Sequence, residues 1–187
     1  KVPLTLRTMF SNIKNPDLIM KLSIPAAIIG FGAGFTLPLM NVFFQEGLGT
    51  TEVEIGVIFA AGQALLVVAS FLAPFIAIRL GKVRAIVMTQ MLSIPFILLL
   101  GYVAELGDVA GSFIAVAVIA YVARITTMDV SGPIREAFGM ELLDPLERGT
   151  QVGIQRAMAA GLYGLAGFFG GQIMNAGDYR TPFLIMA

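Results

Sequence analysis

Five stretches of this chain are each long and apolar enough to cross a lipid bilayer, and that excludes most other folds. Crossing about 30 Å of hydrocarbon takes about 20 apolar residues, and the backbone inside that layer must satisfy its own hydrogen bonds, which leaves helices or a closed barrel. Apolar runs of this length predict helices, because strands are far shorter. The expected spans are about 20–45, 54–78, 85–103, 111–136 and 148–175, followed by a sixth, 180–187, that is truncated. A mean hydropathy of +0.87 agrees with this, as does a charged fraction of 13%. The expected fold class is an all-α membrane protein, a bundle of six transmembrane helices with the last one incomplete.

The connections carry start and stop signals. Gly47 and Gly49 precede Thr51, and Glu54 three residues on completes a capping box. Gly81, then Gly107 and Gly111, then Asp144-Pro145 separate the later spans. Asn15-Pro16-Asp17 reads as an N-cap, a first-turn proline and an acid at the positive end of a helix. Ahead of it, residues 1–19 fit an amphipathic linker lying on the membrane. Leu6, Met9, Phe10 and Ile13 fall at i, i+3, i+4, i+7, with Arg7, Ser11, Asn12 and Lys14 elsewhere. This opening is polar and basic, unlike a signal peptide, and the chain reads as a fragment.

Charge placement sets the expected orientation. Lys1, Arg7, Lys14 and Lys21 precede the first span; Arg79, Lys82 and Arg84 lie between the second and third; Arg135, Arg148 and Arg156 flank the turn between the fourth and fifth. The other ends hold Glu46, Glu52, Glu54, Glu105, Asp108 and Asp178, with Arg180 as their cation. Cytoplasmic loops collect Lys and Arg, so the N-terminus of this segment is expected in the cytoplasm of a multi-pass membrane protein. Twelve cations balance twelve anions, which gives no reason to expect nucleic acid as a partner. The chain has no Cys and no His, so no metal site, no cofactor and no catalytic nucleophile with its base is expected. Gly30-Phe31-Gly32-Ala33-Gly34 follows no strand and has no Lys-Ser/Thr after it, so it is no nucleotide loop.

Arg124 and Asp129 stand inside the fourth span. A guanidinium at mid-bilayer depth costs about 3 to more than 10 kcal/mol when it faces lipid, so Arg124 must face the protein interior or a cavity. Thr127 lies one turn on and Tyr121 one turn before it. The i+5 spacing puts Asp129 on a different face, about 7 Å deeper along the helix. Two readings stay open: a ligand-filled cavity, or neutralisation by other helices, with Arg156 a candidate for Asp129. Ser131-Gly132-Pro133 should bend this span, and Gly30, Gly32, Gly34 and Pro38 should loosen the first span beside Thr36, Asn41 and Gln45. Broken, polar helices at matching positions point to a transport site. Gln63, Gln155, Tyr163 and Gln172 are weaker candidates for a cavity lining.

Small residues recur at close spacing on the second span (Gly56, Ala60, Ala64, then Ala69, Ala73, Ala77) and on the fifth (Gly153, Ala157, Gly161). Such rows let membrane helices approach closely. Each of these spans is the middle member of a consecutive triplet, which suggests a 3+3 inverted repeat; packing within the bundle explains the rows equally well.

Three stretches resemble the C-terminal six-helix half of a major facilitator superfamily (MFS) transporter, and with the helix count the resemblance covers almost the whole chain. "RLGKVR", from Arg79 through Gly81 and Lys82 to Arg84, is similar to the family's G-x-x-x-D-R-x-G-[RK]-[RK] loop, with Pro74 in place of Gly, Ile78 in place of Asp and Val83 breaking the basic pair. "SGPIREAFGMELLDPLERGTQVG" resembles the link between its tenth and eleventh helices, and the segment before Asn15-Pro16 resembles the linker between the halves. The resemblance implies an MFS-like 3+3 inverted repeat and a half of a secondary active transporter. Such a half sits in a bacterial inner (cell) membrane, moves a small solute by alternating access, with proton-coupled efflux as one form, and is no enzyme. It implies Thr36, Asn41, Arg124, Thr127 and Asp129 as substrate or ion contacts. The partners it implies are membrane lipid, a small-molecule substrate and an N-terminal six-helix half in the same gene product or a second chain. The alternative is a non-transporting MFS-like receptor or assembly subunit.

Overall fold

The computed structural model describes residues 13–103 and 112–187. The sequence readings on residues 1–12, and those on Glu105, Gly107, Asp108 and Gly111, lie outside the described residues.

Every regular element among the described residues is helical: α1 (Pro16–Gly34), α2 (Glu52–Leu80), α3 (Lys82–Val103), α4 (Ser112–Asp129), α5 (Ser131–Leu142), α6 (Arg148–Asn175) and α7 (Thr181–Met186). Short 3-10, α and π turns from Leu37 to Gly47 extend α1, and α5 continues α4. Five helical segments are thus long and apolar enough to cross a membrane: Pro16–Gly47, Glu52–Leu80, Lys82–Val103, Phe113–Leu142 and Arg148–Asn175. They are compatible with a multi-pass membrane protein. The first begins at Pro16, ahead of the expected residue 20, and α7 opens where the sixth was expected.

Local signals explain most boundaries. The Thr51 capping box forms: Glu54 N–H donates to Thr51 Oγ1 at 3.4 Å and Thr51 N–H to Glu54 Oε2 at 2.8 Å. Gly81 takes φ +82°, a left-handed value that glycine adopts without strain, and so turns α2 into α3. α4 stops at Asp129 and α5 starts at Ser131, with Val130 between them as a single turn residue of ordinary helical φ and ψ. Pro133 has no N–H to bond the Asp129 carbonyl, and the interruption falls there.

The expected cap on α1 is corrected. Pro16 and Asp17 occupy its first turn, but the Asn15 side chain makes no capping bond. Glu147, in the turn before α6, supplies the acceptor instead: its Oε1 takes the backbone N–H of Asn15 at 2.9 Å and that of Lys14. A carboxylate at a helix N-terminus meets both the free N–H groups and the positive end of the dipole.

α1 lies along α6, and glycine permits the approach. A Cβ on Gly30 would sit 2.9 Å from the Ala159 carbonyl oxygen, and one on Gly170 would sit 3.0 Å from the Phe35 carbonyl carbon. Gly34 packs onto Tyr163 in the same way. Gly30 and Gly34 therefore serve close packing inside a regular helix, and the loosening expected beside Thr36, Asn41 and Gln45 occurs in the irregular segment that follows Gly34. The other helices form a second group in which α4 packs on α3 and α2, while α7 touches α3, α1 and α6. Its main apolar core joins Phe43 and Phe44 of the irregular segment to Ile97, Leu100, Tyr121 and Phe183. A smaller core joins Ala69 and Ala73 to Ala85, Val130 and Ile134.

The small-residue rows divide. Ala69 and Ala73 are buried within the bundle, whereas Gly56, Ala60, Ala64, Gly153, Ala157 and Gly161 are exposed. Nothing lies within 4 Å of a Cβ built at Gly56, Gly153 or Gly161.

Polar clasps gather the helix ends. Lys82 pairs with Glu141, Lys14 Nζ with Asp144 Oδ2 at 3.1 Å and Arg156 with Glu136 at 3.7 Å, so the start of α1, the α2–α3 turn and the α5–α6 turn share one end of the bundle. At the other end Arg180 donates to the Tyr102 hydroxyl at 2.8 Å and lies 4.2 Å over its ring, and Tyr179 donates to Glu46 at 3.4 Å. Exposed pairs of this kind contribute up to about 1 kcal/mol each; they mark geometry more than stability.

Candidate functional site

Among the described residues Arg124 is the largest side chain to be fully enclosed, at 2% exposure. Its Nε and Nη1 are buried and have no hydrogen-bond partner. A guanidinium stays protonated at any physiological pH, so an enclosed one retains its full charge. Its electrostatic neighbours are Asp129, Tyr121 and Tyr163. Tyr163 belongs to α6, which places the guanidinium at the seam between the α1–α6 pair and the group built on α2, α3 and α4.

Asp129 lies between two arginines of its own span, Arg124 before it and Arg135 after it. It is partly buried, and neither arginine approaches it within the 4.0 Å of an ion pair. Arg135 Nη1 is likewise buried without a partner. The suggested Arg156–Asp129 neutralisation does not form, because Arg156 pairs with Glu136. The Thr127 hydroxyl donates at 2.7 Å to the Ala123 carbonyl and at 3.2 Å to that of Arg124, the usual way a threonine hides its hydroxyl in a membrane helix.

The candidates on the first span lie apart from this cluster. Thr36 is wholly buried where α1 ends and donates to Met186 Sδ at 2.7 Å. Asn41 is exposed on the irregular segment. Among the turn residues, Gly81 makes the bend and Lys82 clasps Glu141, while Arg79 and Arg84 are exposed. Ile78 is exposed too, so at this turn the ion pair is made by Lys82 in place of a carboxylate at that position.

Two grooves open beside the cluster without including Arg124. One of about 350 Å³ lies among α1, α3 and α7, with Gln90, Ser93, Met128 and Met186 in its wall. Another of about 340 Å³ lies between α2 and α5, with Pro74, Lys82 and Pro133 in its wall. A pocket of about 20 Å³, room for a water molecule, is formed by Arg135, Gln151, Gln155 and their neighbours. Sequence reasoning missed Glu147, which is 1% exposed and leaves its Oε2 buried without a partner. Its signal was the acid at the mouth of α6, but nothing local names a partner 132 residues away.

No family model, curated protein or solved structure matches this chain.

Proposed function

We propose that the chain is one half of a secondary active transporter, an MFS-like 3+3 inverted repeat that moves a small solute by alternating access around Arg124. The carrying observation is the enclosed guanidinium whose Nε and Nη1 have no partner. A charge left uncompensated in an apolar interior is tolerable when a ligand or water reaches it in part of the working cycle.

Helix pairing supports the repeat. Exchanging the first three spans with the last three turns the α1–α6 contact into α2–α4, α3–α4 into α1–α7, and α2–α3 into α6–α7, while α3–α7 maps onto itself. All of these contacts occur. The first and fourth spans run in opposite directions, since Lys14 at the start of one meets Asp144 beyond the end of the other, and both are interrupted, after Gly34 and at Val130. The exposed small residues on α2 and α6 suit an N-terminal six-helix half, or a second chain, packed against both. The basic end of the bundle is cytoplasmic in this reading, which the positive-inside rule supports and which fits a bacterial cell membrane.

A second reading, a receptor or assembly subunit that keeps Arg124 as an internal lock, draws on the enclosure of that side chain. Side-specific labelling separates the two. This segment contains no Cys, so Thr127→Cys in a full-length protein whose cysteines elsewhere, where there are any, are replaced by serine is a single thiol close to the cluster. Alternating access predicts reaction with a membrane-impermeant maleimide from each side of oriented vesicles, labelling from one side decreasing as the other side becomes accessible. Protection from both sides under all conditions rejects transport.

A further inference from the structure

We infer that the cargo of the Arg124 site carries a single negative charge and is bound by the Nε and Nη1 N–H groups of Arg124. This rests on the transport reading above and gives it a substrate class. Charges alternate along the fourth span and onto α6: Arg124, Asp129, Arg135, Glu136, Arg156, each interacting with the next. The last two side chains are 50% and 75% exposed and pair with each other, so water and their partner neutralise them. Around Arg124 this leaves two guanidiniums and one carboxylate, a local surplus of one positive charge; Glu147, the other enclosed charge, is not among the groups that act on these three and is held at the start of α1 by the Lys14 and Asn15 N–H groups. Arg124 cannot shed it by losing a proton, and its other electrostatic neighbours, Tyr121 and Tyr163, are phenols that carry no charge at neutral pH.

The surplus sits where the hydrogen bonding is incomplete. One N–H on Nε and two on Nη1 lack acceptors. A monoanion supplies acceptors and brings this cluster to neutrality. A dianion would overshoot to a net negative charge, and a cation would double the surplus, each at the desolvation cost that excludes unpaired charge from apolar surroundings.

Nitrate, a small planar monoanion, is the probe. Thermal unfolding of the full-length protein in nanodiscs is followed against sodium nitrate and, at equal ionic strength, sodium sulfate, for the wild type and Arg124→Gln. Sulfate stabilises folded proteins non-specifically by exclusion from their surface, so its effect should be the same in both. Nitrate should raise the wild-type midpoint saturably and fail to do so in Arg124→Gln. Arg124→Lys, which keeps the charge but not the planar donor set, should raise the half-saturating concentration by on the order of tenfold; it decides the matter if the Gln variant does not fold. Nitrate curves that superimpose for wild type and variants overturn the proposal, as does a sulfate effect that depends on Arg124. If nitrate fails while Thr127→Cys still shows alternate exposure, the monoanion is wrong and transport stands. If the labelling fails, the transport reading falls and the cargo falls with it.

Discussion

Glu147 Oε1 accepts the backbone N–H of Asn15 at 2.9 Å, so the turn before the fifth span caps the first. The bond is charge-assisted and its acceptor is enclosed, which places its worth at about 1.5–3 kcal/mol. Glu147→Ala should therefore lower the stability of the protein by about 2 kcal/mol, read as a lower thermal midpoint in micelles, while Glu147→Gln, which keeps an acceptor, should lose less. Asn15→Ala should cost under about 0.5 kcal/mol, because that side chain caps nothing. Equal losses in the Asn15 and Glu147 alanine variants would show that the cap has been assigned to the wrong residue.

Glycines at the α1–α6 contact and on the open face of α6 should respond differently to an added methyl. Gly170→Ala drives a Cβ to 3.0 Å from the Phe35 carbonyl carbon, and Gly30→Ala meets the Ala159 carbonyl at 2.9 Å. Backbone cannot yield as a flexible side chain does, so each should cost about 1–3 kcal/mol. Gly161→Ala projects into open space and should leave folding unchanged within about 0.5 kcal/mol. Its effect should fall on association with the other half, measurable by co-purification of separately tagged halves.

The parts of this fold that were legible in the sequence are those specified within a turn or two of chain. Apolar length gave the five spans, Thr51 with Glu54 gave the start of α2, and Pro133 gave the interruption at Val130. Side-chain reach across the fold was not legible. The sequence offers Asn15 as its own cap because asparagine is a good one, yet a carboxylate brought in by tertiary packing won that place. The glycines of α1 read as softening the span, and only their neighbour α6 shows that Gly30 and Gly34 also permit a close contact. At the site, the cost of burying Arg124 was readable from its position, but its lack of hydrogen-bond partners depends on what the other helices present.

The clasps at the two ends of the bundle should give way in acid. The Leu146 backbone N–H, and then Lys14, hold the Asp144 carboxyl below the ordinary carboxylate range. The Thr181 hydroxyl, followed by its backbone N–H, does the same for Asp178. A carboxyl depressed in the folded state adds stability that is complete above its unfolded value, about 4, and is lost as pH falls through the folded value. Thermal midpoints should hold steady from neutral pH down to about 4 and decline below it. The Asp144→Asn, Asp178→Asn double variant should decline less steeply; an unchanged slope would assign the acid sensitivity to other groups.

Replacing Arg124 by an apolar side chain of similar length should separate its job from the stability of the fold. Removing one partner of a compensated buried pair is strongly destabilising, whereas an enclosed charge with unpartnered donors carries a desolvation cost that an apolar group of similar volume removes. Nε and Nη1 of Arg124 hold no partner, and Asp129 retains Arg135 when Arg124 is gone. Arg124→Met should thus unfold at the same temperature as the wild type or higher, and should abolish the alternating exposure of a cysteine at position 127. A loss of several kcal/mol on this substitution would mean that the guanidinium holds its surroundings together, and Arg124 would then be a packing lock with no cargo to bind.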